Sequence, residues 1–120
     1  MRSSYSGSVI GPKMSAGARL LFTNGQVGTR PEGTTPATTA EQIEVAFERL
    51  AAILKAADMR FSDVVRFDVY FTDRIDVPTF VRIRDRVMGD HKPGASFIVV
   101  KGLARPELRI EIEAVAAKVD

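Results

Sequence analysis

The last third of the chain decides the fold, and it reads Lys92-Pro93-Gly94-Ala95-Ser96-Phe97-Ile98-Val99-Val100, then Leu103, then Leu108-Arg109-Ile110-Glu111-Ile112-Glu113-Ala114-Val115-Ala116. It predicts two paired strands joined by a short turn. The first is a near-continuous apolar run, which is typical of a strand buried on both faces. The second alternates apolar with charged residues, as a half-buried strand does. Its Arg109, Glu111 and Glu113 are therefore expected on the face away from the core, toward water or another subunit.

Two amphipathic helices are predicted upstream of this pair. The first begins at Thr38-Thr39-Ala40-Glu41, a capping box, and the second begins at Asp76-Val77-Pro78 and ends at Gly89. In the first helix, the apolar residues at helical spacing are Ile43, Ala46, Phe47, Leu50, Ile53, Leu54 and Ala57. In the second, they are Phe80, Val81, Ile83, Val87 and Met88. Each stripe predicts a helix that packs on a sheet.

Three further strands are predicted, at about residues 8–14, 19–23 and 64–72. In the last of these, Val65, Phe67, Val69 and Phe71 alternate with polar residues and are expected to face the core. The element order is therefore β, β, α, β, α, β, β, with both helices on one sheet face, and the fold class is α+β. Residues 27–38 lack a regular period and predict a long loop that covers a site or a subunit contact.

Composition predicts one domain, residues 1–120, with a single core. The chain is 45% hydrophobic and 27% charged, and its formal net charge of +2 is too small and too dispersed to indicate a nucleic-acid partner. The absence of cysteine excludes disulfides and thiolate chemistry, and fits a cytoplasmic protein. The first nine residues lack the apolar core of a signal peptide, and no apolar run reaches membrane-spanning length, so an unprocessed, soluble protein is expected.

Conventional catalytic and cofactor sites are not indicated. His91 is the single histidine, and it stands between Asp90 and Lys92 in a polar connector, where a solvated side chain is expected. No metal-ligand cluster, catalytic triad or phosphate-binding glycine loop can be assembled from the sequence. We therefore expect neither a cofactor nor a metal.

The chain resembles the reactive intermediate deaminase A family (RidA, or YjgF-like), also called the liver perchloric-acid-soluble ribonucleases and the translation initiation inhibitors. The resemblance rests on the strand that follows Pro93, on the closing Ile-Glu-Ile-Glu-Ala-Val-Ala strand, and on upstream motifs. These are Ile10-Gly11-Pro12, Leu21-Phe22-Thr23-Asn24-Gly25-Gln26-Val27, Asp63-Val64-Val65 and Thr72-Asp73. The resemblance implies a mixed six-strand-type sheet backed by two helices, and a chorismate-mutase-like homotrimer with small-molecule clefts at the subunit interfaces.

The resemblance also implies a chemistry, which is hydrolysis of an enamine or imine to ammonia and a keto acid. Glu111 matches the carboxylate that orients the attacking water, and backbone donors at Asn24 and Gly25 would hold the substrate's polar end. Where imine-hydrolysing members carry Pro-Ala-Arg-Ser, this chain has Pro93-Gly94-Ala95-Ser96. A bidentate guanidinium contact with a substrate carboxylate cannot come from Ala95, so the substrate is not expected to be a standard 2-imino acid.

The remaining positions of the expected cleft follow from the same match. Ser96 corresponds to the serine after the missing arginine, Phe97 would narrow the cleft, and Lys13 stands near a tyrosine of the family. Lys13, Arg105 and Arg30 are the candidate substitute cations.

Two alternatives stay open. In the first, Glu111 only forms an ion pair with Arg66 or Arg109, and the protein is a non-catalytic ligand-binding or interaction protein of the same fold. In the second, the protein cleaves RNA, although the sequence offers no acid, base and phosphate-binding cations for that reaction.

Overall fold

The computed structural model describes residues 16–120, so the strand expected at residues 8–14 and the candidate ligand residue Lys13 lie outside the described part. The described residues confirm the α+β class. They form five strands and two α-helices: β1 Arg19–Phe22, β2 Gln26–Val27, α1 Thr39–Ala56, β3 Val64–Phe71, α2 Val77–Met88, β4 Gly94–Val99 and β5 Ile110–Lys118. Val27, the second residue of the short strand β2, falls within the predicted loop 27–38.

The strands form one mixed sheet in the order β1-β5-β3-β4, and β2 also pairs with β5. β4 is parallel to β3, whereas β1, β2 and β3 are antiparallel to β5. The expected pairing of the last two strands is therefore wrong, because β3 lies between them. The helix α2 crosses from β3 to β4 and makes these two strands parallel neighbours, which leaves the other side of β3 for β5.

Strand β4 is exposed, contrary to the expectation that it is buried on both faces. It is an edge strand of the described sheet, and the exposed fractions of Phe97, Ile98 and Val99 are 38%, 37% and 54%. The apolar run reflects a surface that the described part of one chain does not cover.

The core lies between the sheet and the two helices. Strand β5 alternates as predicted, with Ile110, Ile112, Ala114 and Ala116 buried, and Leu108 just before it is buried too. Glu111 and Glu113 lie on the opposite face of the strand, hereafter the outer face. The helices contribute buried residues that largely match the predicted stripes: Ile43, Val45, Ala46, Phe47, Leu50, Leu54, Phe80, Ile83 and Met88.

The helix caps are partly as predicted. Thr38 Oγ1 accepts a hydrogen bond from the Glu41 amide (3.2 Å) and donates one to the Glu41 carboxylate (2.9 Å). Asp76 precedes α2, but its side chain makes no capping hydrogen bond and instead pairs with Arg109.

One predicted core position at the start of β3, Val65, is wrong. Val64 is fully buried, whereas Val65, which was expected to face the core, is half-buried. The register with β5 shifts between Val64 and Arg66, so a β-bulge places two residues against one. From Phe67 onward the predicted alternation holds.

The long loop after β2 is fixed to α1 by buried polar contacts. Gln42 is only 1% exposed. Its Nε2 donates hydrogen bonds to the carbonyls of Pro36 (3.0 Å) and Glu107 (2.9 Å). Its Oε1 accepts a hydrogen bond from the backbone amide of Arg109 (2.8 Å). Arg49 donates to the Thr29 carbonyl (3.0 Å). These bonds join α1, the long loop and the segment before β5.

Within residues 16–120, neither helix combines the length and the apolar content that crossing a membrane requires.

Candidate functional site

The structure brings Gly25 and Glu111 together. Val27 of β2 pairs with Glu111 of β5, so the turn before β2 passes beside the Glu111 side chain. A Cβ atom built on Gly25 would lie 2.0 Å from Glu111 Oε2, which means that the carboxylate occupies the space a larger residue would need. Glu111 is half-buried on the outer face. A carboxylate held against backbone at a sheet surface can accept a proton from a bound water or ligand.

The expected ion pair of Glu111 with Arg66 or Arg109 is wrong for the described residues. Arg66 donates to Asp68 (3.0 Å) and to the Ser96 hydroxyl (2.6 Å), and Arg109 pairs with Asp76 (3.3 Å). Among residues 16–120, Glu111 forms no ion pair with any cationic side chain. Both predicted partners are thus engaged by nearer carboxylates.

Tyr70 lies opposite Glu111 on the neighbouring strand, and its hydroxyl donates to Glu113 (3.1 Å). This hydrogen bond is the largest of the effects that raise the pKa of Tyr70 above its usual value, and the negative charges of Glu113, Asp68 and Glu111 add to it. The outer face near Glu111 is therefore rich in negative charge.

The other predicted site residues divide between the two faces of the sheet. In the register of β4 on β3, Ser96 pairs with Asp68, and both lie on the outer face. Ala95 pairs with Phe67 and Phe97 with Val69. These four residues lie on the face of the sheet that the helices cover, hereafter the helix face. Within one chain, Ala95 and Phe97 therefore lie on the opposite side of the sheet from Glu111.

On the helix face, Phe97 packs edge-on against Phe71 (5.7 Å between ring centroids) and Phe80 (5.4 Å). The guanidinium of Arg84 lies over its ring, 5.9 Å from the centroid. Sequence analysis did not include Arg84 among the candidate cations. The signal that could have found it is the spacing of Phe80 and Arg84, which places both residues on one side of α2.

The two described candidate cations lie in loops. Arg105 donates to the Thr29 hydroxyl (2.7 Å) and pairs with Glu107 (3.2 Å). The Arg30 backbone closes a turn with Gly33 and Thr34. Both belong to the cluster formed by the long loop and the segment before β5, and the contacts of Arg105 there are with loop residues.

His91 is half-buried rather than solvated, because its Nε2 lies 2.6 Å from the Val64 carbonyl at the start of β3. It fixes the connector before β4 to the sheet. Within the described range, no three histidine, aspartate or glutamate side chains are placed to hold a metal ion.

A cavity of about 190 Å³ is lined by residues of both helices and by Phe61. The lining residues are Glu44, Phe47, Glu48, Ala51, Phe61, Ile83, Arg86 and Val87. None of the predicted ligand residues lines it. Because Ala95 and Phe97 lie on the opposite side of the sheet from Glu111, the described part of a single chain does not bring these three residues into one cleft.

Comparison with known proteins gives a consistent set of relatives. A family model described as Endoribonuclease L-PSP matches residues 4–118. The 2-iminobutanoate/2-iminopropanoate deaminase of Escherichia coli is 29% identical over 103 residues, which cover 82% of this chain and 80% of the relative. The rat deaminase of the same name is 32% identical over 102 residues, which cover 83% of this chain and 74% of the relative.

A structural relative has the same fold. The crystal structure of E. coli TdcF with bound serine superimposes with a TM-score of 0.79, at 29% sequence identity, and covers 91% of this chain and 90% of that one. The likeness extends over both helices and the mixed sheet.

Proposed function

The chain belongs to the endoribonuclease L-PSP family, the RidA-like proteins, and from that premise we propose that it binds a small imine or enamine between two copies of itself and hydrolyses it with Glu111. The observation that carries this proposal is the placement of the Glu111 carboxylate directly on Gly25. Its relatives are named as imine deaminases, and one of them binds the amino acid serine. These names support a small-molecule ligand.

Glu111 would act on the water. Its carboxylate accepts a hydrogen bond from a water molecule, and the water oxygen adds to the carbon of the C=N bond while a proton reaches the nitrogen. Collapse of the resulting carbinolamine forms C=O, breaks the C–N bond and releases ammonia. The overall change is imine plus water to ketone plus ammonia, which requires neither a metal nor a redox cofactor.

The proposal requires two copies because the candidate residues lie on opposite faces of one sheet. Ala95 and Phe97 of one subunit would face Gly25 and Glu111 of the next. Exposed apolar residues support such an assembly: β1 leaves Leu20 51% and Phe22 69% exposed on the outer face, and β4 leaves its edge uncovered. We propose a homotrimer, as the family resemblance implies.

Ala95 distinguishes the proposed substrate from a standard 2-imino acid. A methyl group cannot make the charge-assisted contact that a guanidinium at this position would make, and such contacts contribute about 1.5–3 kcal/mol. We therefore expect the wild-type protein to hydrolyse 2-imino acids less efficiently than an Ala95→Arg variant.

The experiment is a deaminase assay. An amino acid oxidase generates the 2-imino acid in place, and semicarbazide traps what remains, for wild type, Ala95→Arg and Glu111→Gln. We expect imine loss to be accelerated most by Ala95→Arg, and Glu111→Gln in either background to reduce the rate about 10²-fold or more.

Equal rates for Glu111→Gln and its parent would refute the role of Glu111. If neither wild type nor Ala95→Arg accelerates imine loss, the alternative of a non-catalytic binding protein of this fold becomes the favoured function.

A further inference from the structure

Arg49 of α1 is a half-buried cation whose hydrogen bonds go to uncharged oxygens on both sides of Val27. Its Nε donates to the side-chain oxygen of Gln26 (3.2 Å), and its Nη1 donates to the Thr29 carbonyl (3.0 Å). Within residues 16–120, Arg49 forms no ion pair. Partial burial of a guanidinium is costly unless its N–H groups are bonded. These two contacts therefore hold Arg49 in place and fix β2 to α1.

The Gln26 side chain links this contact to the turn before β2. Gln26 is only 9% exposed on the helix face, where it pairs with the buried Ile112. Its Nε2 donates to the Asn24 carbonyl (3.1 Å), while its Oε1 accepts from Arg49. The buried amide thus uses both of its ends. An apolar side chain would fill the same core position without either bond, so the polar residue indicates a role in holding the turn.

The turn needs this support because it contains a β-bulge. Between the last pair of β1 and the first pair of β2, the chain advances by four residues, whereas β5 advances by three. The extra residue lies at Asn24-Gly25 and leaves the regular ladder there. Before the bulge, the Thr23 amide donates to the Ala114 carbonyl (3.0 Å), and Thr23 Oγ1 accepts from the Ala114 amide (3.0 Å). The bulge is the segment that brings Gly25 against the Glu111 carboxylate.

We propose that Arg49 is a positioning residue for the proposed hydrolysis, because through Gln26 it fixes the bulge that holds Gly25 against Glu111. The inference rests on the proposed function of Glu111. Arg49 itself does not touch the ligand, since it contacts Gln26 on the helix face and Glu111 lies on the outer face. Arginine suits this role because its rigid guanidinium reaches two acceptors at once, whereas the ammonium of a lysine is a single point of contact.

Gln26→Glu is the sharpest test, because it separates the two ends of the Gln26 amide. A glutamate still accepts from Arg49, now as an ion pair, but an ionised carboxylate has no hydrogen to donate to the Asn24 carbonyl. We expect this variant to stay folded, since its buried charge has a partner. Arg49→Met and Arg49→Lys alter the other end of the link. Lys55→Met, an exposed change on the same helix, is the control for loss of charge.

The variants are compared in the deaminase assay, in urea unfolding, and by the NMR chemical shifts of the Gly25 amide and the Glu111 side-chain carboxyl carbon. We expect Gln26→Glu and Arg49→Met to lower kcat about tenfold or more and to shift both resonances, because the bulge moves relative to the carboxylate. Arg49→Lys should recover part of the loss, and Lys55→Met should match wild type in all three measurements.

Gly25→Ala shows whether Arg49 acts through the turn. In this background Glu111 is already displaced, so Arg49→Met should reduce kcat further by less than about twofold, while it lowers the urea midpoint as much as in wild type. A further reduction as large as in wild type overturns the inference. So does a wild-type kcat in both Gln26→Glu and Arg49→Met, or an equal loss in Lys55→Met.

The resonances separate this inference from the proposed hydrolysis. If Glu111→Gln loses turnover while Gln26→Glu and Arg49→Met keep turnover and both chemical shifts, the role of Arg49 alone is refuted. If both shifts change in these two variants but neither wild type nor Ala95→Arg hydrolyses the imine, the hydrolysis alone is refuted, and Arg49 still positions the Glu111 carboxylate.

Discussion

At the scale of single residues, two glycines show how the same substitution can test function at one position and stability at another. Neither Gly25 nor Gly28 has a positive φ, so an alanine at either position does not strain the backbone. Its effect depends only on the atoms that the added methyl group would contact. At Gly25 the nearest atoms belong to the carboxylate of Glu111, at 2.0 Å, which is the mobile end of a side chain. At Gly28 they include the backbone Cα of Gln42, at 2.5 Å, which is fixed in α1.

We predict that Gly25→Ala lowers the free energy of unfolding by less than about 0.5 kcal/mol, because the Glu111 carboxylate can rotate away. The displaced carboxylate should lower turnover about 10²-fold, since misplacement of a reacting group by about 1 Å has that effect. Urea unfolding and the deaminase assay measure the two quantities. Unchanged turnover would show that the contact with Gly25 does not position Glu111.

Gly28→Ala, in contrast, should lower the stability of the protein. The added methyl group must push the backbone of α1 away, and we predict a loss of about 2 kcal/mol of unfolding free energy. The urea midpoint should fall with an unchanged slope. A stability equal to wild type would mean that the loop shifts without cost.

The hydrogen bond from Tyr70 to Glu113 gives a pH-dependent prediction. It raises the pKa of Tyr70 in the folded protein, so its contribution to stability is fully present below the unfolded pKa and is lost as the pH rises through the folded pKa. We predict that Glu113→Gln lowers the pKa of Tyr70. The chain has two tyrosines, so Tyr5 is first replaced by phenylalanine. In this Tyr5→Phe background, the ultraviolet absorbance of tyrosinate measures the pKa of Tyr70 alone. A titration that Glu113→Gln leaves unchanged would contradict the hydrogen bond.

At the scale of elements, Gln42 connects three segments that the sequence presents as separate. It is one of the few buried polar residues, and three hydrogen bonds link α1 to the long loop and to the segment before β5. Its amide lies within an otherwise apolar helix face, so sequence periodicity alone did not select it. The loop 27–38, expected as a cover or a contact, is thus fixed in place by this residue and by Arg49.

We predict that Gln42→Leu lowers the free energy of unfolding by about 3 kcal/mol, because two carbonyls and one amide lose their partners in a buried place. Glu48→Leu, an exposed change on the same helix, should alter it by less than about 0.5 kcal/mol. Thermal unfolding followed by circular dichroism measures both. A similar effect of the two substitutions would contradict the role of Gln42.

At the scale of the whole molecule, the outer face carries apolar side chains without a partner in the described part of the chain. Phe22 is 69% exposed and lies beside Val115 in the register of β1 on β5. If this face is the subunit interface of the proposed homotrimer, a charge placed at its centre should be buried without a partner on assembly.

We predict that Phe22→Asp converts the trimer to a folded monomer and abolishes turnover, because the cleft requires residues from two copies. Ile75→Asp is the matched control, since Ile75 is 73% exposed but lies in the turn before α2. Size-exclusion chromatography with light scattering measures the mass. A trimeric Phe22→Asp variant would place the interface elsewhere, and a monomeric wild type would refute the assembly.

The sequence by itself determined the local features, which are both helices with their start points and the alternation of β5. Periodicity and capping depend on neighbours within a few positions, so they can be read from the sequence. Only the tertiary structure decided that β3 separates the last two strands, that β4 is an exposed edge, and that Ala95 and Glu111 lie on opposite faces. It also decided that Arg84 lies over Phe97. Strand order and contacts across a helix depend on packing between distant segments, which a local pattern does not encode.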